Sequence, residues 1–297
     1  MKSGFITIVG KPNAGKSTLL NALVGEKVAI VSWRPQTTRN KITGIMHGDG
    51  YQAVFIDTPG IHESKNHLGD YMMKSVKSAL QDVDAVIYVV NASRGVDEHD
   101  SDYIGKLVES GVKTLAVVNK TDTVTPETLF KVLESLNKIP GIDSVVPVSA
   151  KRGDNTDKLK EIIVAMLPEG EQYYPDDMVT DKSMRFQTAE IIREKALKLL
   201  DKEIPFGIGV NINKFEMRED GRCFDIDADI VCEKQSHKAI IIGKKGAMLK
   251  RIASEARQDI EDMADYKVFL TLWVRVKEGW RDSDFMLNEL GYNKKDL

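Results

Sequence analysis

Residues 5–24 read FITIVGKPNAGKSTLLNALV, and this stretch decides the fold of the N-terminal half. It starts as a short apolar run, turns through Gly10 to Ser17, and continues with the spacing of an amphipathic helix. The turn matches the phosphate-binding pattern GxxxxGK[ST], which needs a strand before it and a helix after it. The stretch therefore predicts the first strand, loop and helix of an α/β nucleotide-binding domain.

The loop residues suit the binding of phosphate groups. Glycines allow successive N–H groups to face phosphate oxygens, and the following helix adds the positive end of its dipole. Lys16 would pair with the β- and γ-phosphates, and the Ser17 hydroxyl would bind Mg²⁺. The candidate nucleotide-binding residues of the loop are Gly10, Lys11, Pro12, Asn13, Ala14, Gly15, Lys16, Ser17 and Thr18.

From residue 5 to about Pro168, short apolar runs alternate with longer amphipathic stretches, as parallel strands and crossover helices do. The segment Lys41–His47 looks like a half-exposed strand that pairs with the next run through the turn 47–50. We therefore expect a mixed, mostly parallel sheet with helices on both faces, the α/β architecture of P-loop nucleotide-binding domains. The expected parallel strands are Phe5–Val9, Ala53–Ile56, Ala85–Val90, Leu115–Val118 and Val145–Val148.

The chain changes character after Pro168. Residues 169–182 are polar and rich in turn formers, and the remainder reads as a helix, two strands, two helices and a final strand. We expect a nucleotide-binding domain over 1–168, a linker over 169–182, and a smaller α+β domain with a three-stranded sheet over 183–297.

Composition limits the class of protein. Of 297 residues, 42% are hydrophobic and 29% are charged, which is ordinary for a globular protein. We expect a cytoplasmic protein, because the sequence shows neither a signal peptide nor a membrane span. Cys223 and Cys232 have no metal-ligand spacing and are expected to be packing residues. A net charge of −3 argues against wholesale coating of nucleic acid.

The base is selected by a second motif, Asn119-Lys120-Thr121-Asp122, which follows the fourth expected parallel strand. An aspartate there can accept two hydrogen bonds from the N1–H and N2–H₂ groups of guanine, and adenine has no such pair of donors. Ser149-Ala150-Lys151, after the next strand, would bring backbone N–H groups to the guanine O6. The candidate base-binding residues are therefore Asn119, Lys120, Asp122, Ser149, Ala150 and Lys151.

Two further segments are candidate nucleotide sensors. Asp57-Thr58-Pro59-Gly60 ends a strand, so that Asp57 would hold Mg²⁺ through water and the Gly60 N–H would contact the γ-phosphate. The polar segment Gln36-Thr37-Thr38-Arg39 offers a threonine that would complete the Mg²⁺ shell only when the γ-phosphate is present. Thr38 is preferred to Thr37, and the candidate catalytic residues are Lys16, Thr38 and Gly60.

The segment 238–250, KAIIIGKKGAMLK, has the helix, GxxG loop and helix of a KH domain, whose loop holds the backbone of about four nucleotides. Residues 234–254 contain six Lys or Arg and no Asp or Glu, a local excess that the net charge conceals. Most of the isoleucines 240–242 are expected in the core, with one face lining the RNA groove. Trp273 is expected in the core, and Trp280 is left open. The candidate RNA-binding residues are Ile241, Ile242, Gly243, Lys244, Lys245, Gly246 and Lys250.

In the order GKPNAGKS, QTTR, DTPG, NKTD, SAK, followed by a KH pattern, essentially the whole chain resembles the Era-type bacterial ribosome-assembly GTPases of the TrmE-Era-EngA group. The resemblance implies slow GTP hydrolysis to GDP with Mg²⁺, stimulated by K⁺ or RNA, and a type II KH domain. It also implies binding of small-subunit ribosomal RNA near its 3′ end during 30S assembly. Asn13 occupies the position linked to K⁺ in this family. We expect a monomer.

Two alternatives stay open at this point. A membrane-associated signalling or cell-cycle GTPase would use the basic loop or the switch helix for peripheral contact at the inner face of the cell membrane. The sequence offers no lipidation motif or strongly basic amphipathic helix for that role. A KH binding module with an inert nucleotide domain would need a broken motif, and the motifs here are intact.

Overall fold

The computed structural model describes residues 1–293, and the chain divides into two compact units. Unit 1 holds Met1–Glu63 and Met72–Asp181, and unit 2 holds Ser64–Tyr71 together with the residues from Lys182 on. Among residues 1–293, no helix has both the length and the apolar character that crossing a bilayer requires.

Unit 1 is an α/β domain with a six-stranded sheet in the order β2-β3-β1-β4-β5-β6, in which β2 alone runs antiparallel to its neighbour. This confirms the expected mixed sheet. Its strands are β1 Lys2–Val9, β2 Ile42–Gly48, β3 Tyr51–Asp57, β4 Ala85–Asn91, β5 Lys113–Asn119 and β6 Ser144–Pro147. Its helices are α1 Lys16–Val24, α2 His67–Ser78 (in this unit from Met72), α3 Glu98–Glu109, α4 Pro126–Asn137 and α5 Thr156–Met166, with a short 3₁₀ turn at Thr121–Thr123.

The centre of this sheet is apolar on both faces. Every residue of β4 from Ala85 to Val90 is buried, as is every residue of β5 from Thr114 to Asn119. Continuous burial explains why these segments read as unbroken apolar runs rather than as alternating strands. The strand order reverses at β1, which lies between β3 and β4, and ligands of such sheets bind outside the carboxyl ends of the strands at that point.

The segment 169–181, expected as a linker, is fixed along the β2 edge of unit 1. The N–H of Ile45 in β2 donates to the Val179 carbonyl at 2.9 Å. The fully buried Gln52 accepts from the N–H groups of Tyr173 and Tyr174 at 2.9 and 3.1 Å and donates to the Tyr174 carbonyl at 2.8 Å. A polar, turn-rich segment is therefore ordered here, because it covers the exposed edge of a sheet.

Unit 2 is an α+β domain with a three-stranded sheet, as expected, and the strands have the order β7-β8-β9. Strands β7 and β8 are antiparallel, and β8 and β9 are parallel. Its elements are α6 Met184–Leu199, β7 Gly209–Met217, β8 Cys223–Cys232, α7 Gln235–Ile242, α8 Ala247–Ala264, β9 Lys267–Val276 and α9 Asp284–Glu289, with 3₁₀ turns at Ile204–Gly207, Lys244–Gly246 and Trp280–Asp282. One apolar cluster joins α6, α7, α8 and the three strands.

The expectation that Trp273 lies in the core is wrong. Val268, Leu272 and Val274 of β9 are buried, so the odd-numbered positions face outward, and Trp273 is 51% exposed with its indole N–H on Asp227 at 3.1 Å. The alternation was visible in the sequence, but its phase is set by which face packs against the helices. Trp280 is fully buried, and its indole N–H donates to the Gly207 carbonyl at 3.0 Å.

Candidate functional site

Loops at the carboxyl ends of the unit 1 strands enclose a cavity of about 490 Å³. The structure brings most of the expected nucleotide-binding residues to its wall. These are Pro12, Asn13, Gly15, Lys16, Ser17, Thr18, Thr38, Gly60, Asn119, Lys120, Asp122 and Lys151. Of the others, Asp57, Thr58, Ser149 and Ala150 are buried beside the cavity elements that they hydrogen-bond or adjoin.

One part of the cavity wall was not expected from the sequence. The segment from Ile30 to Arg34, which precedes the expected segment 36–39, also lines the cavity. The Trp33 ring is 67% exposed, and the guanidinium carbon of Arg34 lies 4.1 Å from its centroid. No motif marks this segment, because only the path of the chain between α1 and β2 brings it to the site. In the sequence, the one indication of this segment's role was the pair Trp33-Arg34.

Side-chain donors hold the phosphate loop through its backbone carbonyl groups. The Lys16 ammonium donates to the carbonyls of Gly10 and Lys11 at 3.0 and 3.3 Å, and the Lys120 ammonium donates to the Asn13 carbonyl at 2.7 Å. The Lys11–Pro12 peptide has no N–H group, and the Ala14 N–H donates to the Lys11 carbonyl at 3.3 Å. Of these three peptides, the one between Gly10 and Lys11 therefore offers its N–H group to an anion.

The remaining loop carbonyls are held in the same way. The Asn119 side-chain amide donates to the carbonyls of Ala14 and Gly15 at 3.1 and 3.3 Å, and Arg94 donates to the Pro12 carbonyl at 3.4 Å. A side chain at Gly15, where φ is 95°, would collide with the Asn119 amide. The glycine is therefore required for the contact that fixes the loop.

Three oxygen atoms meet at the start of α1. The Ser17 hydroxyl donates to Oδ2 of Asp57 at 2.6 Å, and the Thr38 hydroxyl lies 2.7 Å from Ser17 and 3.2 Å from the same carboxylate oxygen. The other carboxylate oxygen, Oδ1, is buried and has no hydrogen-bond partner among residues 1–293. Hard oxygen donors with an unsatisfied carboxylate oxygen suit Mg²⁺.

The choice between the two threonines is decided by their hydroxyl partners. The Thr37 hydroxyl donates to the Arg34 carbonyl at 2.7 Å within its own loop, whereas the Thr38 hydroxyl joins Ser17 and Asp57. The structure thus places Thr38, and not Thr37, in the oxygen cluster.

The two central charges of the site are both destabilised by burial. Desolvation lowers the pKa of Lys16 to about 8, against the opposing charge of Asp57. Desolvation also raises the pKa of Asp57, and Lys16, Ser17 and Thr38 oppose that shift. Each group lacks the solvation of water, so an added anion beside Lys16 and an added cation beside Asp57 would both be favourable.

At the other end of the cavity, Asp122 is held as an ionised acceptor. Its Oδ1 accepts from the Ser149 hydroxyl at 2.7 Å, and Arg152 lies 3.8 Å from Oδ2. The Ser149 hydrogen bond is the main cause that lowers the pKa of Asp122. The Ala150 N–H donates to Oδ1 of Asn119 at 3.1 Å, so the 149–151 loop is tied to the end of β5.

In unit 2, the loop 243–246 connects α7 to α8 with three residues in the left-handed region, Gly243, Lys245 and Gly246, at φ values of 73°, 51° and 78°. A side chain at Gly243 would lie 2.9 Å from the backbone nitrogen of Met248, so the tight loop excludes one. Lys244 and Lys245 are exposed, as is Lys250 on α8.

Only one of the three isoleucines before this loop lies in the core, although most of them were expected there. Ile241 is fully buried in the apolar core of unit 2, so its side chain supports the loop and cannot line a groove. Ile242 is half-buried, and Ile240, expected in the core with its neighbours, is 50% exposed. Successive residues of a helix point about 100° apart, so a run of three cannot share one face.

Comparison with known proteins agrees with both units. Family models match residues 5–120 ("50S ribosome-binding GTPase") and 203–281 ("KH domain"). GTPase Era of Clostridium kluyveri (strain ATCC 8527) is 49% identical over 292 residues, which cover 98% of this chain and 99% of the relative. GTPase Era of Clostridium botulinum (strain Okra) is 50% identical over 293 residues, with 99% of each chain covered.

Two solved structures have the same two-domain composition. A variant of Aquifex aeolicus Era bound to GDP·AlF₄⁻ is 37% identical and covers 98% of this chain and 99% of its own, with a TM-score of 0.94. Era in complex with MgGDPNP and nucleotides 1506–1542 of 16S ribosomal RNA matches with the same identity, coverage and TM-score. The chain belongs to the Era family of GTPases, in which a GTPase domain is followed by a KH domain.

Proposed function

We propose that this protein is a GTP-hydrolysing switch that binds small-subunit ribosomal RNA near its 3′ end and acts in assembly of the 30S subunit. The observation that carries the proposal is the presence, in one chain, of an intact guanine-nucleotide site and a KH loop with exposed lysines. An Era structure that holds both MgGDPNP and 16S ribosomal RNA supports it. We expect a cytoplasmic monomer, and nothing in residues 1–293 favours the membrane-linked alternative.

Mg²⁺ fits the oxygen cluster of Ser17 and Thr38, with Asp57 acting through water. The bound metal would neutralise charge that develops on the β- and γ-phosphates. Lys16 and the loop N–H groups would stabilise the same charge, and the Gly60 N–H would contact the γ-phosphate. The residue after Gly60 is the buried Ile61, so a glutamine does not orient the attacking water here.

RNA binding would use the loop 243–246 and the start of α8. Helix α8 begins at Ala247, and its N-cap residue Gly246 offers no side chain to cap it. The first turn contains no acidic residue, so the N–H groups and the positive end of the helix dipole are left for an anion. Lys244, Lys245 and Lys250 add positive charge, and Ile242 and the exposed Ile240 offer apolar contact to unstacked bases.

Replacing Asp122 by asparagine should change the base preference from guanine to xanthine. The amide keeps one acceptor for N1–H and gains a donor that pairs with the xanthine O2 but opposes the guanine N2–H₂. Loss of one hydrogen bond to a charged group, together with the donor–donor contact that replaces it, should weaken GDP binding about a hundredfold. Titration calorimetry with GDP and XDP measures both affinities. The exposed Asp157→Asn serves as the matched control, and an unchanged GDP affinity in Asp122→Asn would sink the base assignment.

Nucleotide binding should take up a proton at Lys16. Without a nucleotide, the pKa of Lys16 is about 8. The negative phosphates raise this pKa, so the nucleotide binds the protonated form of Lys16 more tightly, and its affinity falls as the pH rises above about 8. Near pH 8 the uptake should be about half a proton, and near pH 9 about 0.9, if the bound pKa exceeds 10. Calorimetry of GDP binding in buffers of different ionisation enthalpy measures it. Identical heats in all buffers at both pH values would contradict the assignment.

Hydrolysis should be faster in K⁺ than in Na⁺, because Asn13, which lies on the cavity wall, occupies the loop position that the family resemblance links to K⁺. Asn13→Ala should remove the difference between the two salts while GDP still binds. Phosphate release from GTP at equal ionic strength provides the measurement. Equal wild-type rates in the two salts would rule out the K⁺ role.

Changing both Lys244 and Lys245 to aspartate should strongly weaken RNA binding, reduce its sensitivity to salt, and leave basal GTP hydrolysis unchanged. Loss of two phosphate contacts should reduce the slope of log K against log salt by about 1.4. Filter binding of a 16S ribosomal RNA 3′ fragment at several salt concentrations measures the slope. The matched control changes two exposed lysines, Lys131 on α4 and Lys138 directly after it, to aspartate and makes the same change in net charge. If that pair weakens RNA binding as much, the KH loop has no special role.

A further inference from the structure

The side chain of Lys11, unlike its backbone, is not used at the nucleotide cavity. Lys11 is not among the residues that line that cavity. Its ammonium instead forms ion pairs with Asp97 and with Asp100, the latter at 2.9 Å, and the three residues border a separate cavity of about 300 Å³. Although Lys11 belongs to the phosphate loop, its side chain is therefore directed to α3 and not to the phosphates of a bound nucleotide.

The two carboxylates that receive Lys11 are themselves rigidly held. They form the capping box of α3, in which Asp97 accepts from the Asp100 N–H at 3.0 Å and Asp100 accepts from the Asp97 N–H at 3.1 Å. The second oxygen of Asp100 accepts from the Tyr88 hydroxyl of β4 at 2.7 Å, and its side chain is only 6% exposed. Helix α3 and the centre of the sheet thus fix the point to which Lys11 is attached.

The ion pair between Lys11 and Asp97 shifts the pKa of both partners toward the charged form. Burial would lower the pKa of Lys11, but its hydrogen bonds to Asp97 and Asp100 outweigh burial and raise it. Lys11 is also the main cause that lowers the pKa of Asp97 to about 2. Charge-assisted hydrogen bonds therefore connect the loop to α3.

We propose that Lys11, Asp97 and Asp100 form a clamp that positions the phosphate loop and thereby sets how long the nucleotide stays bound. Asn119 and Lys120 hold the far end of the loop, residues 13–15, through its carbonyls. The clamp holds the near end at Lys11, whose carbonyl accepts from Lys16. Without it, the near end keeps the contacts of Lys16, whose ammonium the phosphates attract, and the 3.4 Å contact of Arg94 with the Pro12 carbonyl. Its N–H groups then converge less firmly on the phosphates.

The clamp residues are positioning residues, and this inference rests on the proposed function. Lys11→Met should speed GDP release and raise the KM for GTP about five- to tenfold, while kcat stays within about twofold. Lys11→Arg, which keeps the charge, should behave as wild type. Asp100→Asn removes the charge of one of the two carboxylates that pair with Lys11, so it should change GDP release and KM in the same direction as Lys11→Met, by a smaller amount. The double variant should be no worse than Lys11→Met alone, because that variant already removes the contact with Asp100.

Release of a fluorescent GDP analogue from the full-length protein, followed by stopped flow, tests the clamp. Lys158→Met, which breaks an exposed ion pair with Glu161 on α5, is the matched control and should change nothing. The proposal would be overturned if GDP release and KM were unchanged in both Lys11→Met and Asp100→Asn, even if the unfolding temperature of these variants were lower. Additive effects in the double variant would also overturn it. A wild-type protein that binds no GDP would instead overturn the proposed function.

Discussion

Every carbonyl oxygen from Gly10 to Gly15 is held by a side-chain donor, and the nucleotide site depends on this constraint. Of the six peptides, the Lys11–Pro12 peptide has no N–H group and the Ala14 N–H donates to the Lys11 carbonyl. The other four, which carry the N–H groups of Lys11, Asn13, Gly15 and Lys16, are oriented before an anion arrives. The donors come from the helix after the loop, from the segment after β4 and from the end of β5. The same residues of β5 belong to the base-reading motif, so phosphate binding and base recognition share one support.

Burial prepares the site for charge. Lys16 and Asp57 are both removed from water, and each has a pKa shifted toward its neutral form by desolvation. Phosphate beside Lys16 and Mg²⁺ beside Asp57 relieve this cost, so ligand and metal bind together more favourably than either binds alone. A site built in this way is sensitive to whether the γ-phosphate is present, because Thr38 enters the same oxygen cluster from a loop.

Both units bind anions by the same backbone device and use it differently. The loop 10–17 and the loop 243–246 each place left-handed residues before a helix N-terminus. In unit 1 the lysine is 6% exposed inside a cavity, which suits a single, tightly held ligand. In unit 2 the lysines are exposed, which suits the backbone of a polymer whose binding is set by charge and salt. The degree of enclosure separates a nucleotide site from an RNA surface.

The sequence by itself determined the strands, the helices, the phosphate loop, the guanine reader and the KH loop, because these depend on local periodicity and on motifs whose residues are neighbours in the chain. The tertiary structure alone decided which threonine joins Asp57, and it brought Trp33 to the cavity wall. It also turned Trp273 outward and directed the Lys11 side chain to α3. Side-chain direction depends on which face of an element is packed and on partners distant in the chain, and neither is written in a local pattern.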